Sequence, residues 1–309
     1  MIYTVTLNPA IDKTVVIENL TVGGVNRVSS VREDAGGKGI NVSKCLKNLG
    51  AETVAAMVLA GTTGKRLSKM LEAMKIPVLR LDAQGENRTN LKIIDPVKGE
   101  NTDINETGPK IDPEILEQLK MKLGKSVGKG DIVVLSGSLP AGIDKGLYGE
   151  WIRYFRSHDA SVLLDADGEA LYRAIDALPY MIKPNETELA ALVGKQHLSR
   201  EEMITEGKRL HEMGIPEIVI SLGSEGALFI NADGCFHAES LKVPVRSTVG
   251  AGDSMVAAIV YGKKKKLSRE QKIRLAIAMG AASVMQSGTQ PPESALVWEL
   301  AKQVVITKL

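Results

Sequence analysis

The sequence predicts an α/β protein with a mostly parallel central sheet, helices on both faces of that sheet and a small β-sheet lid. Short runs rich in Val, Ile and Leu alternate with stretches of helical periodicity along most of the 309 residues, which is typical of parallel sheets. Two stretches, 14–32 and 89–105, break the alternation and lack a helix; their strand-like runs are Thr14–Ile17, Val28–Val31, Thr89–Ile94 and Thr102–Asn105. Several strands end in small or polar residues, and ligands of open α/β sheets bind at those carboxyl ends.

The strands and helices of the main sheet follow one another in regular order. Because helices separate the strands along the chain, the strands are expected to run parallel. The predicted strands are Tyr3–Leu7, Thr53–Leu59, Ile132–Leu135, Val162–Asp165, Met181–Lys183 and Ile218–Ser221. The predicted helices are Ile40–Leu49, Gly64–Met74, Pro113–Leu123, Leu147–Arg156, Glu201–Met213, Gly252–Gly262, Gln271–Met285 and a helix capped by Asn185.

The two irregular stretches are interpreted together as one small sheet. Because a domain typically has roughly 150 residues, a chain of this length can form two domains or one large domain with an appendage. We expect one domain over 1–309, with a lid formed by 13–33 and 88–106 inserted in it. Two ordinary surface hairpins are the alternative. Because exposed strand edges tend to pair, the lid also predicts a homodimer.

Composition and charge exclude several classes of protein. The net charge of +2 and the aromatic share of 4% provide neither a basic surface nor stacking side chains, so no nucleic-acid partner is expected. No apolar run approaches the ~18 residues of a membrane span, and the N-terminus does not resemble a secretory signal, so no membrane partner and a cytoplasmic location are expected. The lone thiols of Cys45 and Cys235 and four scattered histidines form neither a disulfide framework nor a zinc site.

The strongest local signal is a glycine turn that opens into an apolar helix. Gly250, Ala251 and Gly252 can bring backbone N–H groups close to an anion at the N-terminus of this helix. Asp253 follows in the first turn. An acidic cap is one interpretation; a general base beside an anion hole, as phosphoryl transfer requires, is the other. No G-x-x-x-x-G-K-[ST] sequence is present, so a P-loop kinase is excluded.

A second glycine turn and the end of the first strand could bind a polyol. Gly37, Lys38 and Asn41 belong to the segment 35–41, which also opens a helix. Asp12 follows the first strand and could accept hydrogen bonds from two sugar hydroxyls. A capped turn and a turn aspartate are the structural alternatives.

Three further clusters follow later strands. Ser138 closes the segment 136–138 after the strand 132–135. Lys183 ends the predicted strand Met181–Lys183. Asn185 and Glu188 follow it on one face of a helix, where they either bind a hydrated Mg²⁺ ion or form a capping box. The turn after the strand 218–221 supplies small residues where a nucleotide could lie, namely Ser221, Gly223, Ser224 and Gly226.

Taken together and in this order, the segments resemble the ribokinase-like carbohydrate kinases of the phosphofructokinase-B family. The likeness extends from T-L-N-P-A-I-D at 6–12 to S-V-M-Q-S-G-T at 283–289, with G-G-K-G-I-N at 36–41, N-x-x-E at 185–188 and V-G-A-G-D-S at 249–254. It implies a ribokinase-like fold with a small β lid, and an ATP- and Mg²⁺-dependent sugar kinase. It also implies a monovalent cation, K⁺, near Ser247, Val249 and Gly288.

The resemblance implies a role for each candidate residue. Asp253 would be the general base, and Gly250, Ala251 and Gly252 the anion hole. The nucleotide and its Mg²⁺ would contact Lys183, Asn185, Glu188, Ser221, Gly223, Ser224 and Gly226. The sugar would contact Asp12, Arg27, Gly37, Lys38, Asn41, Arg88, Asn90 and Ser138.

The acceptor is expected to be a sugar phosphate. Such a substrate brings about −2 charge and favours Arg or Lys contacts, and Arg27 and Arg88 both lie in the predicted lid. The stretch 88–92 is most similar to members that phosphorylate fructose 1-phosphate; tagatose 6-phosphate is the alternative acceptor. A non-catalytic sensor has no use for Asp253, and a dehydrogenase would need a G-x-G-x-x-G after the first strand.

Overall fold

The computed structural model describes residues 1–309. The strands are β1 (Ile2–Thr6), β2 (Ala10–Val16), β3 (Ser30–Gly36), β4 (Val54–Ala60), β5 (Val78–Ala83), β6 (Arg88–Asp95), β7 (Glu100–Asn105), β8 (Ile132–Ser136), β9 (Ser161–Asp165), β10 (Met181–Ile182), β11 (Glu217–Ser221), β12 (Ala227–Asn231), β13 (Gly234–Ala238) and β14 (Ile306–Lys308). The helices are α1 (Lys38–Asn48), α2 (Gly61–Ala73), α3 (Pro113–Gly124), α4 (Leu147–Arg156), α5 (Gly168–Ala174), α6 (Glu186–Leu192), α7 (Arg200–Glu212), α8 (Ala251–Lys264), α9 (Arg269–Val284) and α10 (Ser294–Ala301).

The central sheet has ten strands in the order β14-β13-β12-β11-β10-β9-β8-β1-β4-β5. The seven strands from β11 to β5 pair in parallel, while β12, β13 and β14 pair antiparallel at one edge. The predicted ribokinase-like class, a mostly parallel sheet with a small additional sheet, is confirmed. The expected strands omitted β5 and the edge strands β12 to β14, and the expected helices omitted α5 and α10.

Each face of the central sheet is covered by its own hydrophobic core. Along β8, Val133 and Leu135 pack with the cluster that contains α3, α4 and α7, whereas Ile132 and Val134 pack with the cluster of α1, α8, α9 and α10. Successive side chains of a strand point to opposite faces, so a strand buried on both faces must be apolar throughout. All five residues of β8 are buried, as this requires.

The helices begin in two ways. Helices α7 and α9 begin with capping boxes, Ser199 with Glu202 and Ser268 with Gln271, which satisfy backbone N–H groups locally. Helices α1 and α8 begin instead at Gly37 and Gly250, without any side-chain cap. The N-termini of α1 and α8 therefore lack a side-chain partner at the carboxyl edge of the sheet. No helix combines the length and the apolar character that a membrane span needs.

A second sheet, called the small sheet below, has the order β3-β2-β6-β7. Its two antiparallel pairs, β2 with β3 and β6 with β7, join through parallel pairing of β2 with β6. Strand β2 starts at Ala10 rather than the expected Thr14, because the chain passes from β1 into it almost directly. Strand β3 covers Ser30–Gly36 rather than Val28–Val31 and leads straight into α1.

The helix α3 allows a test of this core. We expect Leu119→Ala to lower the free energy of unfolding by about 2–5 kcal/mol, since Leu119 is fully buried and its removal leaves a cavity. Met121→Ala in the same helix should change it by no more than about 0.5 kcal/mol, because Met121 is exposed. Urea denaturation of both variants measures the difference. Equal effects would contradict the described packing of α3.

Candidate active site

A polar cavity of about 580 Å³, called the first cavity below, lies between the carboxyl edge of the central sheet and the small sheet. Only two of its 29 lining residues are hydrophobic, so it suits a polar ligand with many hydrogen-bonding groups. It brings together most of the residues that the sequence singled out. Those that line it are Asp12, Gly37, Lys38, Asn41, Arg88, Asn90, Ser138, Lys183, Asn185, Glu188, Ser221, Gly250, Gly252 and Asp253.

Asp253 lies in the first turn of α8 and is only 6% exposed. Its Oδ2 accepts a hydrogen bond from Asn41 Nδ2 of α1 at 2.8 Å. Burial, reinforced by the negative charge of Asp165, raises the pKa of Asp253 to about 6, against the opposing effects of Asn41, Lys38 and Lys183. A carboxylate with this pKa is ionised at pH 7 and can still accept a proton during a reaction.

The backbone at the start of α8 is shaped by glycine. Gly250 has φ of 80°, a left-handed conformation that glycine adopts without strain. At Gly252, a Cβ would lie 3.1 Å from Lys183 Nζ, so the ammonium group packs closely against this turn. The helix N-terminus and the lysine both favour an anion at this position.

Asp165 is a site residue that the motif analysis missed. It ends β9, is 2% exposed, and lies between two cations, with its Oδ1 3.5 Å from both Lys38 Nζ and Lys183 Nζ. Neither carboxylate oxygen accepts a hydrogen bond. Burial lowers the pKa of Lys38, but the charge of Asp165, followed by that of Asp253, outweighs it, so the net shift is upward. The sequence signal that identifies Asp165 as a candidate is its position, a carboxylate at the end of the predicted strand Val162–Asp165.

The glycine loop before α1 packs too closely for any other residue. A Cβ at Gly36 would lie 2.1 Å from Asp12 Oδ2, and one at Gly37 would lie 2.6 Å from Thr6 Cγ2. Gly37 also has φ of 112°. The loop therefore presses the start of α1 against β1 and β2, and so sets Asn41 opposite Asp253.

The small sheet contributes one wall of the first cavity. Asp12 of β2 pairs with Asn90 of β6 in the sheet, and Asn90 Nδ2 donates to Asp12 Oδ1 at 2.9 Å. Burial raises the pKa of Asp12, and the bond from Asn90 opposes the shift. The second carboxylate oxygen of Asp12 is free of this bond, so a hydroxylated ligand could use it as an acceptor.

The predicted phosphate-binding arginines are placed differently. Arg88 lines the first cavity, and its guanidinium donates to the carbonyls of Asn8 and Glu106 at 3.1–3.2 Å. Asn8 Nδ2 in turn lies 3.5 Å from Ser138 Oγ, so Arg88 and Ser138 border the same corner. Arg27 is exposed on the segment between β2 and β3 and lines neither this cavity nor its neighbour.

A larger cavity of about 1370 Å³, called the second cavity below, adjoins the first and shares Asn185, Ser221 and Gly252 with it. It contains four further predicted residues, Ala251, Gly223, Ser224 and Gly226. The sequence analysis missed its apolar wall, because a loop and separate helices supply it. These residues are Leu241, Val243, Pro244, Val245, Met255, Ile277 and Val284.

The Asn185–Glu188 pair forms the capping box that was the structural alternative for this motif. Asn185 Oδ1 accepts from the Glu188 N–H, and Glu188 Oε2 accepts from the Asn185 N–H, both at 2.8 Å. No group of three or more His, Cys, Asp or Glu side chains is arranged to enclose a metal ion. Glu188 and Asp165 both line the first cavity, and their carboxylates suit a hydrated ion that a phosphorylated ligand helps to hold, although Lys38 and Lys183 already balance part of the Asp165 charge.

Comparison with known proteins agrees with this geometry. Residues 5–296 match the pfkB family of carbohydrate kinases. The chain is 36% identical to the 1-phosphofructokinase of Bacillus subtilis over 313 residues, covering 100% of both chains. It is 37% identical to the 1-phosphofructokinase of Escherichia coli, covering 92% of this chain and 91% of that one.

A solved structure supports the same relationship. Phosphofructokinase-2 from Escherichia coli, in complex with potassium, superposes with a TM-score of 0.93 and 29% identity, covering 98% of each chain. The small sheet and the carboxyl-edge cavities therefore belong to an architecture that is shared over nearly the full chain.

The pKa of Asp253 predicts an unusual stability profile. Because the folded-state pKa of about 6 exceeds the ordinary value of 3.8, the folded state binds more protons between these values, and stability falls as pH rises through that window. We expect Asp253→Asn to increase the free energy of unfolding above pH 6 by about 1–3 kcal/mol. Towards pH 4 the difference in free energy of unfolding between Asp253→Asn and the wild type should disappear, because Asp253 is then protonated and neutral in the folded state.

Urea denaturation across this pH range measures the effect. Asp167→Asn is the matched control, since Asp167 lines the same cavity but is exposed. A pH-independent difference between Asp253→Asn and the wild type would contradict the assigned burial of the charge.

Proposed function

Since this chain belongs to the pfkB family of carbohydrate kinases, we propose that it transfers the γ-phosphoryl group of ATP to the C6 hydroxyl of fructose 1-phosphate. The products are fructose 1,6-bisphosphate and ADP. The observation that carries this proposal is the position of Asp253, a buried carboxylate with a pKa of about 6 beside the glycine turn where the two cavities meet.

In the proposed reaction, Asp253 is the catalytic base. It takes the proton of the C6 hydroxyl while the C6 oxygen bonds to the γ-phosphorus and the bond to the β–γ bridging oxygen breaks. The N–H groups of Gly250, Ala251 and Gly252 stabilise the charge on the transferred group, and Lys183 lies 3.1 Å from the Cβ position of Gly252. Asn41 orients the base through its 2.8 Å hydrogen bond.

The first cavity binds the acceptor in this proposal. Asp12 and Asn90 bind the sugar hydroxyls from the small sheet. Gly37, Lys38, Asn41 and Ser138 contact the sugar from the central sheet side. Arg88 supplies positive charge for the phosphate group of the acceptor. The dianionic phosphate needs this charge because seven carboxylates also line the cavity. Arg27 is assigned to the same phosphate, and it would have to approach through a rearrangement of its exposed segment.

The second cavity binds ATP. Its apolar wall accommodates the adenine base of ATP. The small residues Ser221, Gly223, Ser224 and Gly226 line the nucleotide. Lys183 and Asn185 lie on the side of the first cavity, where the ATP phosphates would approach the acceptor. Glu188, assisted by Asp165, would hold Mg²⁺ through water and phosphate oxygens. K⁺ is assigned to the region of Ser247, Val249 and Gly288, of which the last two line the first cavity. That phosphofructokinase-2 from Escherichia coli forms a complex with potassium supports K⁺ as a ligand, but not its position.

The small sheet acts as a lid over the acceptor, formed by 13–33 and 88–106 within a single domain. On β6 its cavity-facing polar side chains come from the alternate positions Arg88, Asn90 and Lys92, and Leu91 also lines the cavity. Because they face the carboxyl edge of the central sheet, movement of the small sheet would open or exclude water from the first cavity.

The acceptor is tested by ADP release with Mg-ATP and, in turn, fructose 1-phosphate, tagatose 6-phosphate, fructose 6-phosphate and unphosphorylated fructose. We expect the highest kcat/KM with fructose 1-phosphate. Tagatose 6-phosphate presents its free hydroxyl at C1 instead of C6, so a preference for it would retain the chemistry and replace the acceptor. Binding of a sugar phosphate without ADP release would support a non-catalytic sensor.

Asp253→Asn is the control for the chemical step. It should lower kcat about 10²–10⁴-fold, the contribution of a general base, while ATP and acceptor still bind. Turnover near the wild-type value would overturn the role assigned to Asp253.

We also propose that the protein forms a homodimer through the small sheet. The segments 13–33 and 88–106 carry six exposed large apolar side chains, including Val22 (96% exposed) and Val25 (87% exposed). The edge strand β7 is exposed along its whole length. Exposed apolar groups beside open strand edges favour pairing with a second copy.

Sedimentation should give a particle of twice 33.2 kDa for the wild type. The double variant Val22→Asp/Val25→Asp should sediment as a monomer at micromolar concentration, because it places charge in the proposed interface. Val305→Asp, at a half-exposed valine outside the small sheet, should remain dimeric. A monomeric wild type, or dissociation of both variants, would contradict the proposal.

A further inference from the structure

Lys44 is a fully buried cation that the proposed chemistry does not use. It lies on α1 with 3% exposure, and its Nζ donates to the Ala35 carbonyl at 2.8 Å and to Thr289 Oγ1 at 3.0 Å. Burial lowers its pKa, and the charge of Asp34 is the largest opposing effect. Burying a lysine is costly unless its donors have partners, so both bonds matter to this side chain.

The two partners of Lys44 belong to different parts of the site. Ala35 lies in β3, immediately before the glycine loop where the small sheet joins α1. Thr289 lies in the loop after α9, lines the first cavity and places its Cγ2 3.7 Å from the Cβ position of Gly250. Lys44 thus connects the end of β3, where the small sheet joins α1, with the glycine turn that precedes α8.

A second set of hydrogen bonds connects the same two parts of the structure, β3 and the loop after α9. The Arg32 guanidinium of β3 donates to the Ser287 carbonyl in the same loop, and Arg32 Nε donates to Asp34 Oδ2 at 2.8 Å. Any displacement of β3 must therefore either break these bonds or move the loop after α9 with it.

Helix α1 also carries the residue that binds the catalytic base. Asn41 lies three residues before Lys44, within one turn on the same side of the helix, and binds Asp253. One helix therefore fixes the base through Asn41 and joins the small sheet to the loop beside Gly250 through Lys44.

We propose that Lys44 is a positioning residue that couples acceptor binding under the small sheet to the geometry of the glycine turn at Gly250–Gly252. Acceptor contacts at Asp12 and Asn90 draw the small sheet inward. The bonds of Lys44 to Ala35 and Thr289 transmit that movement to the anion hole. This inference rests on the proposed function, since it assigns the first cavity to the acceptor.

The test compares Lys44→Met with Lys47→Met, an exposed lysine on the same helix. The affinity for a non-hydrolysable ATP analogue is measured with and without fructose 1-phosphate. In the wild type and in Lys47→Met we expect the acceptor to increase this affinity about fivefold or more. In Lys44→Met the increase should disappear, the affinity without acceptor should stay within twofold, and kcat should fall about 10–100-fold.

Thr289→Val provides a second variant, because it removes only the loop partner and leaves the charge and the bond to Ala35 in place. It should also abolish the effect of the acceptor on nucleotide affinity. Retention of the wild-type coupling in a folded Lys44→Met or Thr289→Val protein would overturn the proposal. Absence of coupling in the wild type would overturn it equally.

Hydrogen exchange separates this inference from the proposed function. Without ligands, amides of 30–36 and 286–290 should exchange at least about tenfold faster in Lys44→Met than in Lys47→Met, while those of β8 should not change. If the wild type fails to phosphorylate any acceptor yet these amides respond, the proposed function is wrong and the Lys44 link remains. If the wild type is active and they do not respond, the link is wrong.

Discussion

Two carboxylates, Asp165 and Asp253, are buried at the same edge of the central sheet, and the surrounding chain compensates for the cost of that burial. Removing an ion from water costs several kcal/mol even in relaxed protein. Lys38 and Lys183 each approach Asp165 at 3.5 Å, and Asn41 donates to Asp253. The compensation is incomplete at Asp253, whose pKa stays raised to about 6. The proton affinity that a general base needs is thus a direct result of the packing.

That arrangement requires close backbone approach, which explains the glycines around it. Gly36 leaves room for the Asp12 carboxylate, and Gly252 leaves room for the Lys183 ammonium. A side chain at Gly36 would displace Asp12, a wall residue of the first cavity. The glycine loops therefore serve the positioning of charged side chains as much as the binding of an anion.

Sequence reasoning located most of the candidate site but not its connections. The segments 36–41 and 249–254 were assigned to one site through resemblance, and the structure joins them by the Asn41–Asp253 bond across 212 positions of the chain. Asp165 and Lys44 were missed for a physical reason. A strand-end carboxylate and a helical lysine look like solvated residues until distant segments cover them. The short edge strand β14 was missed likewise, because pairing with β13 and packing of Ile306 against the core, both tertiary contacts, stabilise its three residues.

The meeting of the two cavities at Gly252 is what the proposed transfer between two ligands requires. A group bound in the second cavity and a hydroxyl bound in the first approach each other only at the start of α8, where Asp253 and the uncapped helix N-terminus lie. The first cavity has four cationic and seven acidic side chains along its wall. A further dianion is tolerated there only where positive charge faces it, and the small sheet supplies that charge with Arg88 and Lys92. In the proposed reaction, the choice of a phosphorylated acceptor therefore depends on the small sheet, while the chemistry depends on the central one.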